Sequence, residues 1–268
     1  EELFGVTVTG MCGSPDPVAL VDGADPSYGD DPLAGFAGIR DVFEDLTEYA
    51  GEDIAIGDLD GRPGNEAAFI AVCNGGGKTR DLQIFVFAAT PTGPVQVAEV
   101  PWTDGVEKGA PDVVSHLGIA DGWLTYQGGA LGEDAPFCCP SVIFGGRFRL
   151  EGGSLVAAPP PELTITPRGL EPAVAGMTYG EAALALGREM DVTAVGGSID
   201  IGTATCSGFS VGDDNIWGTG RDGQVWSFSV GVAGIATPEG IAVGSTRAEV
   251  LGKYPNAQPV PNEYLEWP

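Results

Sequence analysis

The chain has 268 residues, 43% of them hydrophobic, which supplies apolar material for real cores and excludes disorder throughout. Thirty-eight acidic residues against twelve basic ones give a net charge of −26, a surface that repels nucleic-acid phosphates and anionic membranes. One histidine excludes a histidine-rich metal site, and no apolar run is long enough for a transmembrane helix.

Residues 4–9 read as a strand, and residues 13–34, rich in Asp, Pro and Gly, as a loop. Phe36, Ile39, Val42, Phe43, Leu46 and Tyr49 stand near helical spacing and predict an irregular helix over 36–50. An acidic turn at Asp58–Glu66 leads into strands over 67–73, 82–87 and 95–100. Asp121-Gly122 between two apolar segments is a hairpin signal, and further strands are expected over 142–144, 147–150 and 154–157. Ala158-Pro159-Pro160-Pro161-Glu162 reads as a stiff extended link, since consecutive prolines deny backbone donors.

Beyond the link, Gly176-Met177-Thr178-Tyr179-Gly180-Glu181 and Gly244-Ser245-Thr246-Arg247-Ala248-Glu249 repeat one pattern: a threonine followed three residues later by a glutamate, then an apolar stripe. That is a capping box, in which each side chain accepts from the other residue's N–H. It predicts short helices over 178–187 and 246–254, each too short to stand alone and so expected to cover a sheet. Strands are expected over 192–195, 209–211, 216–218 and 224–232, with Arg221-Asp222-Gly223 as a turn. The expected fold class is α+β. Two domains, 1–157 and 163–268, would each be a mostly antiparallel sheet with one or two short helices, joined by a proline linker at 158–162.

Candidate chemistry is sparse. Asp58, Asp60, Asn65 and Glu66 supply oxygens of the kind calcium takes, with Gly61 and Gly64 permitting a sharp turn. The spacing departs from an EF-hand, and a solvated turn held by side-chain-to-backbone bonds is the competing reading. Asn74-Gly75-Gly76-Gly77-Lys78-Thr79 lacks the first glycine of a phosphate loop, because Val72 stands there. His116 beside Ser115 on a strand does not form a triad, since neighbours on a strand point to opposite faces. Trp102, Trp217 and Trp226 are candidate contact residues, with a core role as the competing reading.

The five cysteines, Cys12, Cys73, Cys138, Cys139 and Cys206, lack zinc spacing and point to disulfide bonds in an oxidising compartment. Adjacent cysteines rarely bond each other, so Cys138 and Cys139 are expected to diverge. The favoured pairing is Cys73 with Cys139, then Cys12 with Cys138, leaving Cys206 alone. The chain starts Glu1-Glu2 with no visible leader, which does not argue for the cytoplasm.

Over residues 35–157 the chain resembles the actinobacterial LppP/LprE family of lipoproteins. The resemblance is carried by Gly57-Asp58-Leu59-Asp60-Gly61, by Ala71-Val72-Cys73-Asn74-Gly75-Gly76-Gly77 and by Cys138-Cys139-Pro140. It implies an exported, cell-envelope or extracellular protein rather than an activity, with a lipid anchor to be sought upstream of this chain. Cys12 follows Val-Thr-Gly-Met without a basic leader and is not read as lipidated. The second half is similar to the tandem helix–sheet units of secreted beta-lactamase inhibitor proteins, on Gly176-Met177-Thr178 with Glu181 and Gly244-Ser245-Thr246 with Glu249. It differs in holding only Cys206 where such units hold an internal disulfide.

These readings lead to an expected non-enzymatic extracytoplasmic protein that binds a protein or envelope component, with calcium as the candidate ion. The alternatives are an inhibitor of a secreted hydrolase and a glycan-active enzyme using acidic residues.

Overall fold

Apolar segments separated by Asp-Gly and Gly-Gly turns fold back on one another, so nearly every strand pair is an antiparallel neighbour. In the computed structural model the described residues are 5–13, 16–28, 36–39, 54–74, 81–100, 113–130, 141–194, 206–212 and 214–258, with only the backbone described at 36–39, 73, 74, 81, 113, 115 and 194.

The first half forms a sandwich. One layer is a five-stranded sheet of β3 (Phe36–Ile39), β4 (Ile54–Gly57), β5 (Glu66–Asn74), β6 (Asp81–Thr90) and β7 (Gly93–Glu99), in the order β3-β5-β6-β7 with β4 also on β5. The facing layer is built from β8 (Val113–Ala120), β9 (Trp123–Ala130), β10 (Val142–Glu151) and β11 (Ser154–Ala157). Period-two alternation turns Ala68, Ile70 and Val72 of β5 and Ile84 and Val86 of β6 toward Leu117, Leu124, Val142 and Phe144 in one buried cluster. Each fully buried aliphatic side chain contributes about 1.5–3 kcal/mol.

The other face of β5 and β6 carries Phe69, Phe85 and Phe87, with the Phe69 and Phe87 rings stacked at 5.3 Å. The N-terminal ribbon of β1 (Thr7–Val8) and β2 (Val18–Ala19) covers them with Val6, Val8, Met11 and Leu20. Two amides fasten this ribbon. Gln96 Oε1 accepts from the Thr9 N–H at 2.8 Å and its Nε2 donates to the Thr9 carbonyl at 3.0 Å, while Gln83 Oε1 accepts from the Cys12 N–H at 2.9 Å.

The second half contributes β12 (Thr164–Thr166), β13 (Gly169–Glu171) and β14 (Ala173–Val174) as a small sheet, then α1 (Tyr179–Leu186), and then β15 (Met190–Ala194), β16 (Cys206–Val211), β17 (Ile216–Arg221) and β18 (Gln224–Val230). The last four do not form a sheet of their own. β15 pairs with β10 through Val142↔Asp191 and Ile143↔Met190, at the end of β10 opposite to β11. One eight-stranded sheet therefore runs from β8 to β18, across the position of the proline linker. The mostly antiparallel architecture with few short helices matches the expected α+β class.

Helix α1 starts as its sequence dictates. Thr178 Oγ1 accepts from the Glu181 N–H at 3.2 Å, and Glu181 Oε2 accepts from the Thr178 N–H at 2.8 Å. Gly187 closes the helix in the left-handed region, φ 61°, where a β-carbon is costly. Ala182, Ala183 and Leu186 are fully buried against Met190, Phe209 and Val225. Helix α2 (Arg247–Lys253) carries the same capping box, with Glu249 Oε2 accepting from the Thr246 N–H at 2.6 Å.

Three expectations are corrected. Residues 36–39 are a strand rather than the start of a helix, because four backbone pairings with Ala71–Asn74 outweigh the helical spacing of the apolar residues; residues 40–53 lie outside the described set. Helix α2 has no fully buried residue, so the expected seating on a sheet is not seen among the described residues. Val250, Leu251 and Tyr254, which occupy the places of Ala182, Ala183 and Leu186, are half-buried. The disulfide framework is the third. No sulfur–sulfur bond joins two described side chains, and Cys206 is a free exposed thiol whose cross-strand neighbour is Arg221. Cys12 is in the bonded form, yet its other half is not among the described side chains, and Cys138 and Cys139 also fall outside them.

Candidate functional site

The acidic turn between β4 and β5 draws its carboxylates together. Asp58 Oδ1 accepts from the Gly61 N–H at 2.7 Å, Asp60 Oδ1 from the Arg62 N–H at 2.9 Å, and Glu66 Oε2 from the Leu59 N–H at 2.8 Å. These are the local side-chain bonds that Asp prefers in turns, and they fix the loop. One oxygen each from Asp58, Asp60 and Glu66 lies within 4.8 Å of the others, so the cluster could coordinate a divalent cation. Glu66 is 5% exposed. Asn65, next to it, is exposed. Arg62 offers one counter-charge, its Nε 3.5 Å from Asp60 Oδ2.

A larger feature lies on the other side of the molecule's long sheet. On β9 and β10 the residues that do not enter the sandwich core face α1: Trp123, Thr125 and Gln127 on one strand, Gly145, Arg147 and Arg149 on the other. Helix α1 rests on this face at two glycines. An added β-carbon at Gly145 would stand 2.6 Å from the Leu184 Cα, and one at Gly180 of the helix would stand 2.4 Å from the Gln127 Oε1. Between α1, the β9–β10 face and the extended residues 157–161 runs an open groove of about 890 Å³.

The electrostatics of this groove are uneven. Arg147 and Arg149 both stack on Trp123, their guanidinium carbons 4.5 and 4.1 Å from the ring centroid. Across the groove Arg188 is paired with Asp214, and its buried Nε has no hydrogen-bond acceptor among the described residues. Glu189, the next residue along, lines the same wall. Glu181 also lines the groove, but its Oε2 is spent on Thr178. Tyr126 is 4% exposed, and burial first, then the nearby Glu189 carboxylate, push its phenol well above the usual tyrosine range. It therefore stays protonated at any physiological pH.

The remaining candidates scatter. His116 is exposed on β8, where the register slips between Val114 and His116, and it does not line the groove. Trp217 and Trp226 are 46% and 60% exposed, surface residues rather than core. Trp102 and the glycine run 75–77 lie outside the described residues. Asp121, Ala158, Pro159, Pro161 and Glu181 of the groove stand out in the sequence only as turn, linker and helix cap, and none of the groove residues as a ligand contact. The one local signal was Arg147-Phe148-Arg149, which puts two cations on one face of a strand. Among the described residues no helix is long and apolar enough to cross a membrane. Comparison with protein-family models, with curated proteins and with solved structures found no match.

Proposed function

We propose that the protein is a non-enzymatic binding protein of the cell envelope or the extracellular space, and that it takes its ligand in the groove beneath α1. The observation that supports this is the groove itself. Its volume of about 890 Å³ falls in the range of ligand pockets, about 300–1,000 Å³. Two of its walls are a sheet face and a capped helix, which pre-organise much of its shape, and the extended residues 157–161 close a third side. The exported location rests on the LppP/LprE resemblance.

The test is a thermal-shift screen of envelope saccharides and acidic metabolites against the protein and an Ala158→Trp variant, whose indole would fill the groove. Ligands that raise the melting temperature of the parent and not of the variant support the reading. Shifts that survive in Ala158→Trp would move the site elsewhere, and turnover of a polysaccharide, lost on replacing one acidic residue, would replace the reading with a glycan-active enzyme.

A second reading concerns the acidic turn. Convergence of Asp58, Asp60 and Glu66 within 4.8 Å favours calcium as a structural ion there. With one oxygen from each, the three carboxylates supply three of calcium's usual six to eight ligands, and water, the Asn65 side chain and carbonyl groups would complete the shell.

A further inference from the structure

The chemistry of the groove says what kind of ligand it takes. We propose that it binds an oxyanion, a carboxylate or phosphate group carried by a small molecule or a chain end, held by the edge of Arg147, with Arg149 packed on the same indole outside the groove lining. The inference rests on the groove being the ligand site.

The chain carries thirty-eight acidic residues and twelve basic ones, so a cation on its surface has carboxylates in abundance. Arg62, Arg188 and Arg221 each have one, at Asp60, Asp214 and Asp222. Arg147, Arg149, Arg168, Arg247 and Lys253 have no carboxylate within ion-pair distance among the described residues, and of these five only Arg147 lines the groove. The register Arg147↔Thr125 and Phe148↔Leu124 puts Arg147 on the groove face beside Trp123.

Stacking then orients it. A guanidinium laid on an indole has its flat face occupied, while its N–H donors point outward along its edge. That edge is a planar fork, and it matches two oxygens of one carboxylate or phosphate. The same stacking argues against a neutral sugar as the main ligand, because the indole face that a sugar ring would use is already covered by Arg147 and Arg149. Arg188, which also lines the groove, adds a buried Nε–H that has no acceptor among the described residues. Three carboxylates also line the groove: Glu181 is held by its hydrogen bonds to Thr178, Glu189 lies near Tyr126, and Asp121 sits at the hairpin turn two residues before Trp123. The protonated Tyr126 phenol adds no negative charge to the floor.

The experiment is an NMR titration of the whole chain labelled with nitrogen-15, following the Trp123 indole N–H and the Arg147 and Arg149 Nε–H signals. The probes are inorganic phosphate, galacturonate and neutral galactose. The expected result is a saturable shift of these signals with phosphate or galacturonate and none with galactose. In the Arg147→Gln/Arg149→Gln double variant the affinity should fall by about tenfold or more, the loss of a charge-assisted pair of bonds, with an unchanged melting temperature. Saturation by phosphate alone would identify a phosphate ligand, and by galacturonate alone a carboxylate. Absence of any saturable shift with both anions, or equal anion affinity in the double variant, would overturn the proposal. A saturable shift with galactose alone would also overturn it, while leaving the groove as a binding site.

Discussion

Leu184 of α1 lies on Gly145 of β10 so closely that a methyl group added at Gly145 would stand 2.6 Å from the Leu184 Cα. The contact is with helix backbone, which cannot swing aside. Gly145→Ala should therefore lift α1 from the sheet and cost about 1–3 kcal/mol, as overpacking does. Urea denaturation measures this. A loss below about 0.5 kcal/mol, the size of an ordinary surface substitution, would mean that α1 does not seat on β10 as described.

The two capping boxes have the same chemistry and different settings. Helix α1 buries Ala182, Ala183 and Leu186, whereas α2 buries nothing. Thr178→Ala should lower global stability by about 1 kcal/mol. Thr246→Ala should instead fray α2 alone, raising amide exchange at Val250 and Tyr254 with little change in the global denaturation midpoint. Equal effects of the two substitutions on that midpoint would contradict the difference in burial.

Tyr126 gives a pH signature. Its folded pKa lies above the value of about 10 for an unfolded tyrosine. The unfolded chain thus loses this proton first as pH rises. The stability from keeping the phenol neutral is present in full below about pH 10 and is lost as pH climbs toward the folded value. Melting temperatures followed from pH 8 to pH 11 should fall less steeply at the alkaline end for Tyr126→Phe than for the parent. Identical slopes would count against a buried, neutral Tyr126.

Calcium is tested at the acidic turn. If Asp58, Asp60 and Glu66 hold an ion, calcium chloride should raise the melting temperature, with a gain set by free ion over its dissociation constant. Asp58→Asn should weaken that gain without unfolding the protein, since Asp58 is exposed. A gain of the same size in Asp58→Asn, or none in the parent after chelation and re-addition, would leave the turn as a loop fastened by Gly61, Arg62 and Leu59.

Local signals in the sequence were read well where chemistry is local. Asp121-Gly122 and Asp222-Gly223 turn hairpins with positive φ at both residues, as the dipeptides imply. Thr178 with Glu181 and Thr246 with Glu249 start helices at the expected residues. The acidic turn was legible as three converging carboxylates for the same reason. What failed depends on partners far along the chain. The apolar spacing of Phe36 and Ile39 suits a helix, and only β5 makes it a strand. Pairing of Val142 with Asp191, which carries the sheet across the proline linker, has no local mark. The groove was invisible because Trp123 meets Arg147 and Arg149 through cross-strand register, and α1 arrives over them from beyond the linker.

The most direct test of the central claim is a crystal structure or NMR titration of the protein with the strongest hit from the thermal-shift screen, read for which residues contact the ligand. The account expects contacts to Trp123, Arg147 and the α1 wall, with binding lost in Ala158→Trp. A ligand seated away from the β9–β10 face, with affinity intact in Ala158→Trp, would contradict it.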